Sequence, residues 1–423
     1  MREKDLVLGA NVLAALNAVN AWRPFDRRHF PSAYCFAAGW PTSELPLPAL
    51  GLHLAVNGVA AARGDLRGKR GLAAALLGAG TAAELGASYR AAKSAADVYE
   101  QALTAAFGPD YRSGIAELKY PGPDGANART PGVVRMMRIR RRFAHHADIQ
   151  YGPRRHANLL DIWSREDLPA DASAPVLIQV PGGAWTIGNK QAQAYPLMSH
   201  LAERGWVCVA INYRLAPKHR WPAHIVDVKR AIAWVRANIA EYGGDPQFLA
   251  LTGGSAGGHL SSLAALTPGE REWQPDFEDA DTSVAACVPF YGAYDFTDRA
   301  GVGHRTMGKH LERLVIGAKR AADPDVYDKA SPMSRISADA PPFLISHGTN
   351  DSLIPVEEGR LFAQMLREVS RSPVVYAELP RAQHAFDIFG TPRAKLAAEA
   401  VARFLGYLYG QYLARREAPA AAS

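Results

Sequence analysis

Cysteine is scarce: the chain has three in 423 residues, Cys35, Cys208 and Cys287. So few, so scattered, exclude a disulfide framework. Cys208 in "WVCVAINY" and Cys287 in "AACVPFY" sit in strand-like apolar runs, where a thiol acts as a small buried hydrophobe. Metal-ligand spacing is missing too. His145 and His146 are adjacent, which keeps them off one common face of a strand or helix, so no metal is expected. Long hydrophobic runs are also lacking. The uncharged stretches 6–22, 45–62 and 71–83 fall short of the about 20 strongly apolar residues of a spanning helix, and Asn11, Asn17, Asn20, Pro46, Pro48, His53 and Asn57 interrupt the first two. The opening "MREKD" carries two acids and no small-x-small cleavage site follows, so no secretory leader is expected. The location expected is cytoplasmic, with peripheral membrane contact through the uncharged stretches as the alternative to a soluble helical lid.

The excess of positive charge, +7 overall, gathers in short runs such as "RMMRIRRRF" at 135–143. Such a run reads first as a solvated face or linker and second as a contact for acidic lipid headgroups. No nucleic-acid motif accompanies it, so no nucleic-acid partner is expected. "GAGTAA" at 78–83 matches a loose dinucleotide-binding pattern, but nothing strand-like precedes it, which excludes nucleotide binding there.

With 48% hydrophobic and 21% charged residues the chain has the composition of a globular protein. Its texture changes near residue 140. Residues 1–140 are rich in alanine and leucine with helical periodicity and read as a helical cap or membrane-associating region. Residues 141–416 alternate short β-branched runs with amphipathic stretches, which predicts an α/β domain: a mostly parallel central sheet flanked by helices on both faces. Residues 417–423 read as a disordered tail.

Within the second region, "LTGGSAGGHL" at 251–260 follows a strand pattern and opens a helix. That context gives G-x-S-x-G, here residues 253–257, its chemical meaning: a tight turn that thrusts the Ser255 hydroxyl outward at the carboxyl end of the strand. A serine hydroxyl is a poor nucleophile and needs a base, which needs an orienting acid. Downstream, "PPFLISHGTNDSLIP" carries Asp351 after a buried strand and "PVVYAELPRAQHAF" carries His384 after the next. Asp295 and His347 are the competing acid and base. For the developing oxyanion, "VPGGAWTIG" at 180–188 supplies Gly182 and Gly183 after a core strand, and Ala256 adds an N–H at a helix start. Trp185 in the same loop is placed in the substrate pocket.

"PGGAW", "NYRLAPKHRWPAHIVDVKRAIAWVRANIAEYGGDP", "GGSAGG", "GTNDSLIP" and "QHAF" together resemble the hormone-sensitive-lipase-like branch of the α/β-hydrolase fold over about 250 residues from Ala157. With the long N-terminal region, the chain is most similar to the actinobacterial lipase and esterase subgroup. The resemblance implies the triad Ser255, Asp351 and His384, oxyanion donors Gly182, Gly183 and Ala256, and no cofactor. Two departures stand out: Pro181 replaces the loop histidine usual in that branch, and Ala184 replaces its third glycine. The G-G-x-W form also occurs in plant prenylcysteine methylesterases and in kynurenine formamidases.

The leading function is therefore a serine carboxylesterase acting on a small acyl ester or lipid. An amidase or formamidase with the same residues is the alternative, and a non-catalytic ligand-binding protein on the same fold, as in the plant gibberellin receptors, is the reading from another class. Acyl length and oligomeric state stay open.

Overall fold

The computed structural model describes residues 3–29, 31–120, 133–191 and 193–417. Four helices open it: α1 (Glu3–Trp22), α2 (Ser32–Glu44), α3 (Pro46–Ala62) and α4 (Gly68–Lys93), packed on one another. Next come α5 (Ala95–Phe107) and α6 (Val133–Phe143), then β1 (His146–Gln150), β2 (Leu159–Trp163), β3 (Ala174–Val180), α7 (Tyr195–Glu203), β4 (Val207–Ile211), α8 (Ala223–Asn238) and β5 (Gly244–Gly254). The chain continues through α9 (Ala256–Leu266), β6 (Ala286–Phe290), α10 (Arg305–His310), α11 (Pro324–Lys329), β7 (Phe343–Gly348), α12 (Val356–Val369) and β8 (Val374–Leu379) to the closing α13 (Pro392–Glu417).

The eight strands form one sheet in the order β1-β2-β4-β3-β5-β6-β7-β8. The β1/β2 and β2/β4 pairs are antiparallel and the remaining pairs parallel. Alternate residues of a strand face opposite ways. Accordingly Val176, Ile178 and Val180 of β3 join a core with α8, α9 and α12, whereas Leu177 joins a second core with α5, α7 and α13. Helices thus cover both faces, which is why the parallel strands are continuous apolar runs.

The change of texture near residue 140 is not a packing boundary. Tyr99 and Leu103 of α5 are fully buried in the second core, and the Tyr99 hydroxyl donates to Ser346 Oγ in β7 at 2.9 Å. The basic run falls on α6. There Arg140 pairs with buried Asp161 at 2.7 Å and Arg142 with Glu203 at 2.8 Å, so those charges have internal partners. Of the expected disordered tail, 418–423 lies outside the described residues.

β3 is followed in sequence by its neighbour on one side and pairs on the other with β5, so the crevice at their carboxyl ends is a topological switch point. Register sets Val180 beside Gly253. The loop after β3 and the turn after β5 are therefore held side by side.

Candidate active site

Ser255 follows β5 with φ 57° and ψ −120°, a backbone conformation costly for a residue with a Cβ. Neighbouring elements hold it there. The Ser255 N–H donates to Phe290 O at 3.0 Å and the Ser255 carbonyl accepts from His259 N at 2.9 Å. The flanking glycines are steric necessities: a Cβ on Gly257 would lie 2.1 Å from Val180 O, and one on Gly253 would lie 2.5 Å from the Gly257 backbone.

Asp351 stands after β7 and His384 after β8, and the structure brings them together: His384 Nδ1 lies 2.7 Å from Asp351 Oδ2, both residues buried. The other carboxylate oxygen accepts the N–H groups of Leu353 at 2.9 Å and Ile354 at 2.8 Å. Burial alone would raise the Asp351 pKa, but His384 and His347 hold it well below the usual carboxylate range. His347 is the base that sequence order disfavours. It lies on the same carboxylate, its Nε2 3.3 Å from Asp351 Oδ2 and 2.9 Å from Ile354 O. Asp295, the competing acid, accepts its own neighbours' amides, Thr297 N at 3.0 Å and Arg299 N at 2.8 Å.

Ser255 and His384 line one cavity of about 570 Å³, a volume within the roughly 300–1,000 Å³ of small-molecule sites. Its walls are mainly apolar. Phe36 and Trp40 come from α2, Met307 from α10, and Ile187, Leu353 and Ile388 from loops. The Phe36 ring meets the His384 ring edge-on at 6.0 Å, and the Tyr291 ring lies 4.5 Å from it on another side.

Two expectations are corrected. Trp185 does not line this cavity: with φ 62° it turns into the core, 1% exposed, where its indole N–H donates to His259 Nδ1 at 3.1 Å. Gly182 is at the cavity, but its N–H is already committed, donating to Gln193 Oε1 at 2.7 Å, while Gln193 Nε2 donates back to Gly182 O at 3.2 Å. Gln193, together with the Tyr213 hydroxyl on Pro181 O at 2.9 Å, braces the loop that lacks the usual histidine. Gly183, at φ 127°, and Ala184 present N–H groups with no acceptor among the described residues.

Sequence reasoning missed how the N-terminal helices grip the two loops bearing Asp351 and His384. Asn350 Nδ2 donates to Ala21 O at 2.8 Å and Trp22 O at 2.7 Å, and the Ser352 hydroxyl donates to Ser32 O at 3.3 Å. The Trp40 indole donates to Ala385 O at 2.9 Å. Gln383 Oε1 accepts the N–H groups of Ser352 and His384, both at 2.9 Å, stitching one loop to the other. Beneath them Glu44 of α2 forms a buried ion pair with Arg393 of α13 at 2.6 Å. Apart from Gln383 and the amides it binds, these partners lie more than 300 residues apart, a separation at which no local pattern links them.

A family model described as BD-FAE matches residues 160–366. The probable carboxylic ester hydrolase LipM of Mycobacterium tuberculosis is 51% identical over 419 residues, covering 98% of this chain and 97% of its own. Esterase LipQ of the same organism is 44% identical over 400 residues, 94% and 90% of the two chains. Among solved structures, the butyrate-bound form of a thermophilic esterase from Thermogutta terrifontis matches with a TM-score of 0.51 at 27% identity, covering 64% of this chain and 94% of that one. Identity of this extent over nearly the whole length, helices included, establishes that the chain belongs to the α/β-hydrolase-fold family of carboxylic ester hydrolases that contains LipM and LipQ.

Proposed function

We propose that this chain hydrolyses carboxylic esters through an acyl-enzyme on Ser255, with His384 as general base and then acid, and Asp351 orienting it. The observation that carries the reading is the buried Asp351–His384 pair, 2.7 Å apart, in the wall of the apolar cavity into which the strained Ser255 turn opens. The Ser255 proton passes to His384 Nε2 as Oγ bonds to the ester carbonyl carbon. The tetrahedral intermediate then expels the alcohol, which takes that proton from His384. Water repeats the sequence in reverse and frees the acid.

Asp351 suits its part because two amides and two imidazoles keep it ionised, so it fixes the His384 tautomer and offsets the imidazolium charge. With the Gly182 N–H occupied, the oxyanion falls to Gly183 and Ala184 in the loop and to Ala256, whose N–H at the start of α9 has no partner within the helix. One such donor is worth roughly 3–4 kcal/mol in the transition state. The apolar walls fit an acyl chain.

Hydrolysis of p-nitrophenyl esters from acetate to palmitate, beside the matching anilides, tests this. The esters should be cleaved well ahead of the anilides, and Ser255→Ala should lower kcat by at least about a thousandfold. A wild type inactive on every ester, or a Ser255→Ala variant of unchanged rate, would sink it.

A further inference from the structure

The helices that wall the cavity carry a polarity opposite to that of a water-facing bundle. Among the described residues, fifteen of the seventeen exposed large apolar side chains lie between residues 6 and 76. Leu13 and Leu16 on α1, Leu52 and Leu54 on α3, and Leu72 and Leu76 on α4 are each more than half exposed. The polar groups point inward instead. Asn11 is 2% exposed and its amide donates to Asn57 Oδ1 at 3.0 Å; His53 Nε2 lies 2.9 Å from Gly78 O; buried Asn20 donates to Cys35 O at 2.8 Å. A helix in water buries its apolar stripe and exposes its polar one. Here both are reversed, and the exposed patch is concentrated on one group of helices, the signature of a surface with an apolar partner.

Charge identifies the partner. The stretches 6–22, 45–62 and 71–83 carry no charged residue, while Arg23, Arg27 and Arg28 follow the first and Arg63, Arg67, Lys69 and Arg70 lie between the other two. The acids near these cations are Asp5, paired with Arg70, Asp26, buried Asp65 and, beside Arg27, Glu357 and Asp351; Arg27 also donates to Asn350 Oδ1 at 3.3 Å, so the free edge of charge rests on the other cations. Apolar faces edged by arginine and lysine match acyl chains edged by anionic headgroups. No single described helix is long and apolar enough to cross a membrane, and the α2–α3 pair that together has such a composition is bent by 89°.

We propose that the outward faces of α1, α3 and α4 form a platform that docks this protein on an anionic lipid surface. α2 packs against all three and lends Ser32, Ala33, Phe36 and Trp40 to the cavity wall, so docking sets the lipid against the helices that bound the cavity. On the reading of the site given above, the substrate class is then an ester that partitions into the bilayer.

Flotation of the full chain with vesicles of phosphatidylcholine alone, and of phosphatidylcholine with phosphatidylglycerol, tests the platform without using catalysis. Wild type and Ser255→Ala should float equally, and more with the anionic vesicles. The triple variant Leu13→Glu, Leu54→Glu, Leu76→Glu should bind at least about tenfold more weakly, with unchanged hydrolysis of a water-soluble short ester. A second variant, Arg63→Gln, Arg67→Gln, Lys69→Gln, should lose the preference for anionic vesicles while keeping its fold. Wild type that stays in the dense fraction with both vesicles overturns the proposal. So does a wild-type dimer in light scattering that the leucine variant turns into monomers without any change in flotation, which would make a second copy the occupant. Flotation by a protein inactive on every ester supports the platform and refutes only the catalytic reading.

Discussion

Replacing Glu44 by glutamine should damage this protein more than removing its partner, because the two halves of the Glu44–Arg393 pair respond differently to being left alone. Both side chains are buried, at 0% and 1% exposure, and Arg393 Nη1 lies 2.6 Å from each carboxylate oxygen. Burial pushes the Glu44 carboxyl up and Arg393 pulls it back. In Arg393→Met the stranded carboxyl can take up a proton and shed its charge. In Glu44→Gln the stranded guanidinium cannot. Breaking a buried pair on one side costs about 3–5 kcal/mol, so Glu44→Gln should lie near the top of that range and Arg393→Met below it, with a loss that grows as pH rises. The double variant Glu44→Leu, Arg393→Met removes both charges and should recover most of the stability. Urea unfolding at neutral pH reads all three. Because Glu44 Oε1 also accepts the Gln383 N–H at 3.4 Å, and Gln383 binds the Ser352 and His384 amides, Glu44→Gln should also lower kcat/KM on a short ester about 10–100-fold. A Glu44→Gln cost below about 1 kcal/mol, or a double variant no more stable than that single one, would refute the claim that α2 secures the His384 loop.

Three further outcomes are expected. Burial opposes charge on His347, but Asp351 more than offsets this and its pKa is raised; the stability of their pair is therefore full below the unfolded histidine value, about 6.5, and is lost as pH rises through the raised one. Asp351, depressed, keeps its share above its unfolded value of about 3.9 and loses it as pH falls, so wild type should exceed His347→Gln most between about pH 4 and 6.5 in urea midpoints, and a pH-independent gap would contradict the pairing. Gln193→Ala releases both sides of Gly182 and should lower kcat about 10–100-fold with little change in KM, as steady-state kinetics on one ester would show; a changed KM alone would place Gln193 in substrate binding. Trp185→Phe strips a donor from buried His259 and should cost about 1–3 kcal/mol in thermal or urea unfolding while leaving the preferred acyl length untouched, whereas a shifted length optimum would return Trp185 to the pocket.

Ser255, Asp351 and His384 were legible because each sits at the carboxyl end of a strand that announces itself as an apolar run, and the register of a parallel sheet gathers those ends. The strands from β2 to β8 are apolar runs of the same kind, whereas edge strand β1, "HADIQ", is mostly exposed. What failed turns on backbone angles and on partners remote in sequence. A side chain beside two glycines looks as if it faces the site, yet φ 62° at Trp185 rotates the indole into the core. Gly182 looks like a free donor until Gln193, with no motif to mark it, takes the N–H. His347 reads as a rival base because order along the chain cannot tell a residue that replaces His384 from one that shares its carboxylate.

The N-terminal helices were the hardest to read, and for a physical reason. Periodicity reveals a helix by the contrast between its faces, and the uncharged stretches 6–22, 45–62 and 71–83 of α1, α3 and α4 offer little contrast: mostly leucine, alanine, valine and glycine, with a few asparagines and one histidine. Such a composition fits a lid, a loose bundle or a membrane-facing layer equally well, and only the fold shows which face each asparagine takes. Facing inward, Asn11 and Asn57 join α1 to α3 and His53 joins α3 to α4, while Asn350 and Ser352 join α1 and α2 to the Asp351 loop. A region held to these two loops by buried hydrogen bonds and an ion pair supports them directly, so cutting it away would expose Glu44's partner and unpin both loops rather than simply open the cavity. That same inward commitment of the polar groups is what leaves the leucines outside, edged by arginine and lysine, where the proposed lipid surface would meet them.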